Sequence, residues 1–184
     1  MDTLSHIGVF LVDTLFSLYI SVVVIRFLLA LARANFYNQL SQFIVKVTNP
    51  VLVPLRRVIP TIGKLDTAAV VLALLLIIAK TFLILTLKGS AIGFVPLLVY
   101  AIVELIRTVI WMYIIALLIQ AVLSWVGNSN TSANPLTGIL YSLTNPILNP
   151  LRRIVPNIGM VDISPLIAIL GLNILLIIVN GFGM

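Results

Sequence analysis

The sequence predicts an all-α membrane protein. Four transmembrane helices form two parallel tandem repeats, each ordered span, interfacial amphipathic helix, Pro/Arg segment, span. Three observations predict this. The 184-residue chain is 61% hydrophobic and only 9% charged, whereas soluble domains carry roughly a quarter charged residues. Its apolar residues gather into four runs long enough to cross a bilayer. A 19-residue block also occurs twice, as TNPVLVPLRRVIPTIGKLD at 48–66 and TNPILNPLRRIVPNIGMVD at 144–162.

The two blocks match at 12 of 19 positions with a constant offset of 96, among them Arg56/Arg152, Arg57/Arg153, Gly63/Gly159 and Asp66/Asp162. A period of about half the chain marks a duplicated half rather than a short-period solenoid. The first repeat covers 1–90, with spans 7–31 and 68–87 around an interfacial segment 36–63. The second covers 91–184, with spans 97–126 and 164–182 around 134–159.

Ile7 to Leu31 is the first span, long enough to cross with some tilt. Ala30-Leu31-Ala32 loosely resembles a signal-peptidase site. The run nevertheless has the length of a span, with no positive charge before it, so an uncleaved helix is expected. In 36–49, Leu40, Phe43, Ile44 and Val47 recur at i, i+3, i+4 and i+7 opposite Gln39, Ser41, Gln42 and Lys46. This pattern predicts an amphipathic helix flat in the interface. Leu136, Ile139, Leu140 and Leu143 repeat the stripe at the same offset.

Pro50, Pro54 and Pro60, and again Pro146, Pro150 and Pro156, cannot all lie within one regular helix. Asn49-Pro50, Asn145-Pro146 and Asn149-Pro150 suit an N-cap followed by proline at the first helical position. The expectation is a short broken helix at the headgroup level, where water can satisfy the freed backbone groups. Gly63 and Gly159 then mark a turn, and Asp66 and Asp162 supply oxygens suited to starting the next span.

Each half crosses twice, so the repeats are expected to be parallel rather than inverted. Arg33, Lys46, Arg56, Arg57, Lys64, Arg152 and Arg153 fall on one side, and Asp2 and Lys88 on the other. The positive-inside rule therefore places the Arg-rich loops in the cytoplasm and both termini in the periplasm.

The net charge of +6 does not imply nucleic acid, because the basic residues flank apolar runs rather than a solvated basic domain. Such charge is topogenic and faces lipid headgroups. With no cysteine and one histidine, His6, the chain offers no thiol nucleophile, no cysteine-ligated metal and no histidine-based metal site. P-loop, HExxH and nucleophile-elbow patterns are missing as well. No cofactor is implied and no enzyme is expected.

Two residue sets remain as candidate sites. Arg56, Arg57, Arg152 and Arg153 can clamp lipid phosphates bidentately or contact a protein partner, beyond fixing topology. Topology alone needs positive charge, not adjacent guanidinium groups at one proline spacing twice. The second set is Asp13, Lys80, Glu104 and Arg107, inside the spans. At 1.5 Å per residue the first three lie roughly 10 Å from the outer ends of their spans, with Arg107 about one turn deeper. Unpaired, each would cost ~3 kcal/mol or more, so a paired network facing the bundle interior is expected. It is either structural, aided by snorkelling of Lys80 and Arg26, or a proton or cation pathway. At the 96-residue offset their counterparts are Val109, Leu176, Gly8 and Leu11. A site at a repeat interface would more naturally draw on both halves.

Phe36-Tyr37-Asn38, the two NPxLxPLRR…P…G…D blocks, Ser124-Trp125 and Asp162-Ile163-Ser164-Pro165 together resemble the YggT family of bacterial membrane proteins, with YlmG-type relatives in plastids. The resemblance covers nearly the whole chain. The first half departs from the pattern with Asp66-Thr67-Ala68-Ala69 where the second reads Asp-Ile-Ser-Pro. The resemblance implies a small multi-pass protein of the bacterial inner membrane. It implies association with osmotic or ionic stress and with division-site and envelope functions, and in plastids with photosynthetic-membrane and cytochrome assembly. It brings no catalytic residue set. The function expected is non-enzymatic, with paired cytoplasmic-face modules binding anionic lipid or a protein partner, the chain itself forming homo-oligomers or joining another membrane protein. The alternative is a small ion transport or permeation protein.

Overall fold

The computed structural model describes residues 3–34, 38–63, 65–126, 135–154 and 162–182. Among these are six helices: α1 Thr3–Leu31, α2 Gln39–Val58, α3 Thr67–Leu87, α4 Phe94–Val126, α5 Pro135–Ile154 and α6 Ser164–Phe182. Four of them, α1, α3, α4 and α6, are long and apolar enough to cross a membrane. These helices are apolar over most of their length, and in hydrocarbon the backbone must satisfy its hydrogen bonds within the helix. Polar side chains among them bond back onto the same helix, as Ser21 does to Ser17 O, Thr81 to Ile77 O and Asn173 to Ile169 O. At 29 and 33 residues, α1 and α4 are about 43 and 50 Å long, more than a bilayer's hydrocarbon requires.

The ends of the spans are chemically specified. Asp66 caps α3, its side chain accepting from the Ala69 N–H at 3.3 Å. The α3 C-terminus closes with Ser90 N–H donating to Leu85 O and Gly89 N–H to Thr86 O, with Gly89 at φ 67°. This is the left-handed exit that glycine makes without a Cβ clash. The same pair of bonds ends α1, from Ala34 N–H to Leu29 O and Arg33 N–H to Ala30 O. There the left-handed position is held by Arg33 at φ 51°.

The prolines behave differently from the expected break. α2 runs unbroken through Pro50 and Pro54, and α5 through Pro146 and Pro150. Asn49 and Asn145 are therefore interior rather than capping. The N-cap of α2 is Asn38, whose side chain accepts from Leu40 N–H at 3.0 Å. The physical reason is spacing: prolines four apart share one face of a helix, and all four are exposed. The carbonyls they free lie on that outer face, where water or headgroups can satisfy them. Only Pro60 ends α2, by driving Ile59 out of the α region to φ −114°, ψ 100°. Pro156 and Gly159 lie outside the described residues.

The expected stripes coincide only in part with the packed faces of α2 and α5. Ser41, Ile44, Thr48 and Leu52 are the buried residues of α2, while Leu40 and Phe43 are exposed. In α5, Ile139, Leu140, Leu143, Thr144 and Leu148 are buried and Leu136 is exposed. α2 packs on α1 and α3, α5 packs on α4 and α6, and α2 and α5 touch each other.

α1 pairs with α3 and α4 with α6, and α3 against α4 joins the pairs. Ala69 and Ala73 are buried in α3, small enough for close approach to α1. The largest buried cluster joins Val23, Val24 and Leu29 of α1, Leu52 of α2 and Ile77 of α3 with Ile139 and Leu143 of α5. Leu117, Leu148 and Ala168 form a second contact among α4, α5 and α6.

Candidate functional site

Both repeated blocks end on an ion pair. Arg56 at the end of α2 bonds Asp66 through Nη2, and its Nε lies 3.4 Å from Oδ1. Arg152 at the end of α5 reaches Asp162 Oδ2 through Nε at 2.8 Å. Each pair spans ten residues and ties an Arg-bearing helix to the start of the next span. Gly63, at φ 61°, makes the intervening turn, where Ile62 and Leu65 exchange backbone hydrogen bonds. Asp162 also accepts from Ser164 N–H at 2.9 Å. Burial pushes the Asp162 carboxyl up, but hydrogen bonds from Ser164 and Arg152 and the guanidinium charge outweigh this, holding it below the usual range.

The neighbouring arginines are free of this duty. Arg57 and Arg153 are exposed and make no ion pair among the described residues. Each precedes an exposed apolar residue, Val58 at 79% and Ile154 at 80%.

A second pair of contacts docks α2 and α5 onto the spans before them. Thr48 is fully buried, its hydroxyl 2.7 Å from Ile44 O and bonded by Arg26 Nη1, which also donates to Val45 O at 3.1 Å. Thr144 is equally buried, 2.7 Å from Leu140 O, and bonds Gln120 of α4. Arg26 is only 5% exposed, so it does not snorkel to the surface. With Gln42, Lys46, Asn49 and Arg56 it lines an open recess of about 570 Å³ between α1 and α2.

The intramembrane charges come together in two ion pairs. Lys80 is buried and reaches Asp13 Oδ1 and Ser17 Oγ, each at 3.2 Å, so it does not snorkel either. Arg107 bonds Glu104 one turn away at 2.8 Å and Asn180 of α6 at 2.8 Å. Ser17, Ser21, Lys80, Glu104, Arg107 and Thr108 border one cavity of about 250 Å³ among α1, α3 and α4. Asp13 is not inside the bundle: its side chain is 56% exposed.

Comparison with known proteins places this arrangement. The CCB3/YggT family matches residues 5–87 and 99–183. The chain belongs to this family. Similar YggT-family chains include an uncharacterized protein from the proC 3′ region of Vibrio alginolyticus, 43% identical over 166 residues, covering 89% of this chain and 88% of its own. One from Pseudomonas aeruginosa is 39% identical over 186 residues, covering 100% of this chain and 93% of its own. The uncharacterized protein YggT of Escherichia coli K12 is 35% identical over 176 residues, covering 95% and 88%. No solved structure matches. Each YggT match on this chain contains one Arg–Asp pair and one intramembrane ion pair.

Sequence reasoning passed over Thr48, Thr144, Gln120, Ser17 and Asn180 in this YggT-family chain. Signals were present: Thr48 and Thr144 are identical across the blocks, and Gln120 and Asn180 interrupt otherwise apolar runs.

Proposed function

We propose that this chain is a non-enzymatic, multi-pass protein of the bacterial inner membrane. Its two tandem repeats, 1–90 and 91–184, present cytoplasmic-face modules that bind anionic lipid headgroups and support assembly of envelope or membrane complexes. One observation carries the reading. In each half the first arginine of the pair is spent on an aspartate, while Arg57 and Arg153 remain outward beside an exposed Val58 or Ile154. A free guanidinium grips a phosphate with two parallel bonds. The adjacent apolar side chain enters the acyl boundary, as on an interfacial helix. The exposed Leu40 and Phe43 of α2 extend the same surface. Neither the family's description nor its relatives' names specify a reaction.

The test is lipid selectivity. Protein reconstituted with spin-labelled phosphatidylglycerol or phosphatidylcholine should immobilise the anionic lipid preferentially, and Arg57→Gln/Arg153→Gln should bring the two close together. Unchanged selectivity in the double variant would refute the lipid reading. Cross-linking from positions 57 and 153 to a protein would instead favour a partner.

The polar cavity beside Lys80, Glu104 and Arg107 favours a second reading, ion permeation in the service of osmotic or potassium stress. It requires potassium or proton flux in liposomes that Glu104→Gln reduces.

A further inference from the structure

We propose that the recess between α1 and α2 is a single binding site for a phosphate-bearing anion, present in the first half of the chain and missing from the second. The proposal deepens the lipid reading but stands on different residues. Arg26 is buried, yet among the described residues no carboxylate lies within ion-pair distance of it. A buried cation without an anion is costly, and native proteins supply the missing charge. Arg56 and Lys46 line the same recess, against the one carboxylate of Asp66, which Arg56 already holds. Two positive charges therefore remain uncompensated around a space of about 570 Å³, wide enough for a phosphate group.

The second half serves as an internal control. Docking a buried threonine onto the preceding span does not need a charge, because Thr144 is held by the neutral Gln120. The first half does the same task with a guanidinium, so that charge answers another need. At the 96-residue offset Arg26, Gln42 and Lys46 become Val122, Gly138 and Ser142. Among the described residues, the small cavity that Arg152 lines in the second half has no other cation. Duplication thus left two anchoring arginines and one anion site. Arg26 is held in place by Val45 and Thr48 before any ligand arrives, and such preorganisation lowers the cost of binding. A guanidinium matches a phosphate's oxygens bidentately, with Lys46 adding a point charge.

The experiment is native mass spectrometry of the full chain from detergent, titrated separately with phosphatidic acid, phosphatidylcholine and inorganic phosphate. One phosphatidic acid per chain is expected, in preference to phosphatidylcholine. Lys46→Gln, a change of an exposed side chain, should weaken it about fivefold or more. Arg26→Gln should weaken it further, and its thermal stability reports whether α2 stays docked. Binding of inorganic phosphate but not of lipid, with the same dependence on Lys46, keeps the site and assigns it a soluble ligand. Two equivalent lipids per chain would overturn the single site while leaving the general lipid reading intact. So would one lipid indifferent to both substitutions, or equal binding of phosphatidylcholine. No binding of either probe by folded protein overturns the site outright, whatever Arg57 and Arg153 do for bulk lipid selectivity.

Discussion

Arg152 and Asp162 lie 2.8 Å apart across ten residues of chain, and Arg56 and Asp66 repeat the relationship 96 residues earlier. In each case the carboxylate also organises the start of the following span, as the N-cap of α3 or as acceptor for Ser164 N–H in α6. These pairs act on architecture, whereas Arg57 and Arg153 are exposed and make no ion pair among the described residues. The division predicts different phenotypes for adjacent arginines. Arg56→Gln and Arg152→Gln should each destabilise the protein by about 1–3 kcal/mol, the usual result of removing one partner of a part-buried hydrogen bond. Arg57→Gln and Arg153→Gln should change stability by less than about 0.5 kcal/mol, as exposed positions do. Thermal unfolding in one detergent separates the two classes.

Acid should weaken the second junction in a defined direction. The native Asp162 carboxyl is held below its ordinary range by Ser164 and Arg152. Its contribution is therefore complete above the unfolded value, about 3.9 for aspartate. It fades as pH falls through the lower native value. Stability from this group should be flat at neutral pH and decline only in strong acid. Asp162→Asn should remove that part of the decline while lowering stability at pH 7. A pH series of melting temperatures for both proteins checks it.

The spans were legible in the sequence because hydrophobicity over twenty residues outweighs a few charges, and duplication located the Arg-bearing segments. The unbroken course of α2 was not. Proline in a helix interior removes one bond and crowds the preceding turn, yet α2 accommodates Pro50 and Pro54 on one exposed face that only the packing of Thr48 and Leu52 defines. The Arg–Asp pairs could have been found, since both blocks place opposite charges ten residues apart. The threonine docking could not be read by offset. Arg26 and Gln120 do the same task from positions that do not correspond, and only the fold shows that their side chains converge on equivalent threonines.

Arg33 offers a stabilising change. It sits at φ 51° in the left-handed exit of α1, where glycine avoids a penalty of roughly 1–2 kcal/mol. Arg33→Gly should raise stability by about 0.5–1 kcal/mol after the greater freedom of glycine in the unfolded chain is counted. Arg33→Ala should not. Comparing the two melting temperatures isolates backbone strain from loss of charge.

The intramembrane charges permit a test that separates scaffold from pathway. Lys80 is buried, with Asp13 and Ser17 as its partners, while the Asp13 carboxylate is more than half exposed. Asp13→Asn should therefore strand a buried ammonium and cost about 1–3 kcal/mol. Adding Lys80→Met should return most of that loss, because an apolar side chain of similar length suits the α1–α3 contact. A double-mutant cycle by denaturant unfolding in detergent measures the coupling. If the pair is scaffold, the double variant folds and any liposome flux matches wild type. If it is a pathway, the double variant folds equally well but flux disappears, because no titratable group remains at that level of α1 and α3. Restored stability with unchanged flux would assign Asp13 and Lys80 to the scaffold, leaving Glu104 and Arg107 as the charges still able to serve conduction.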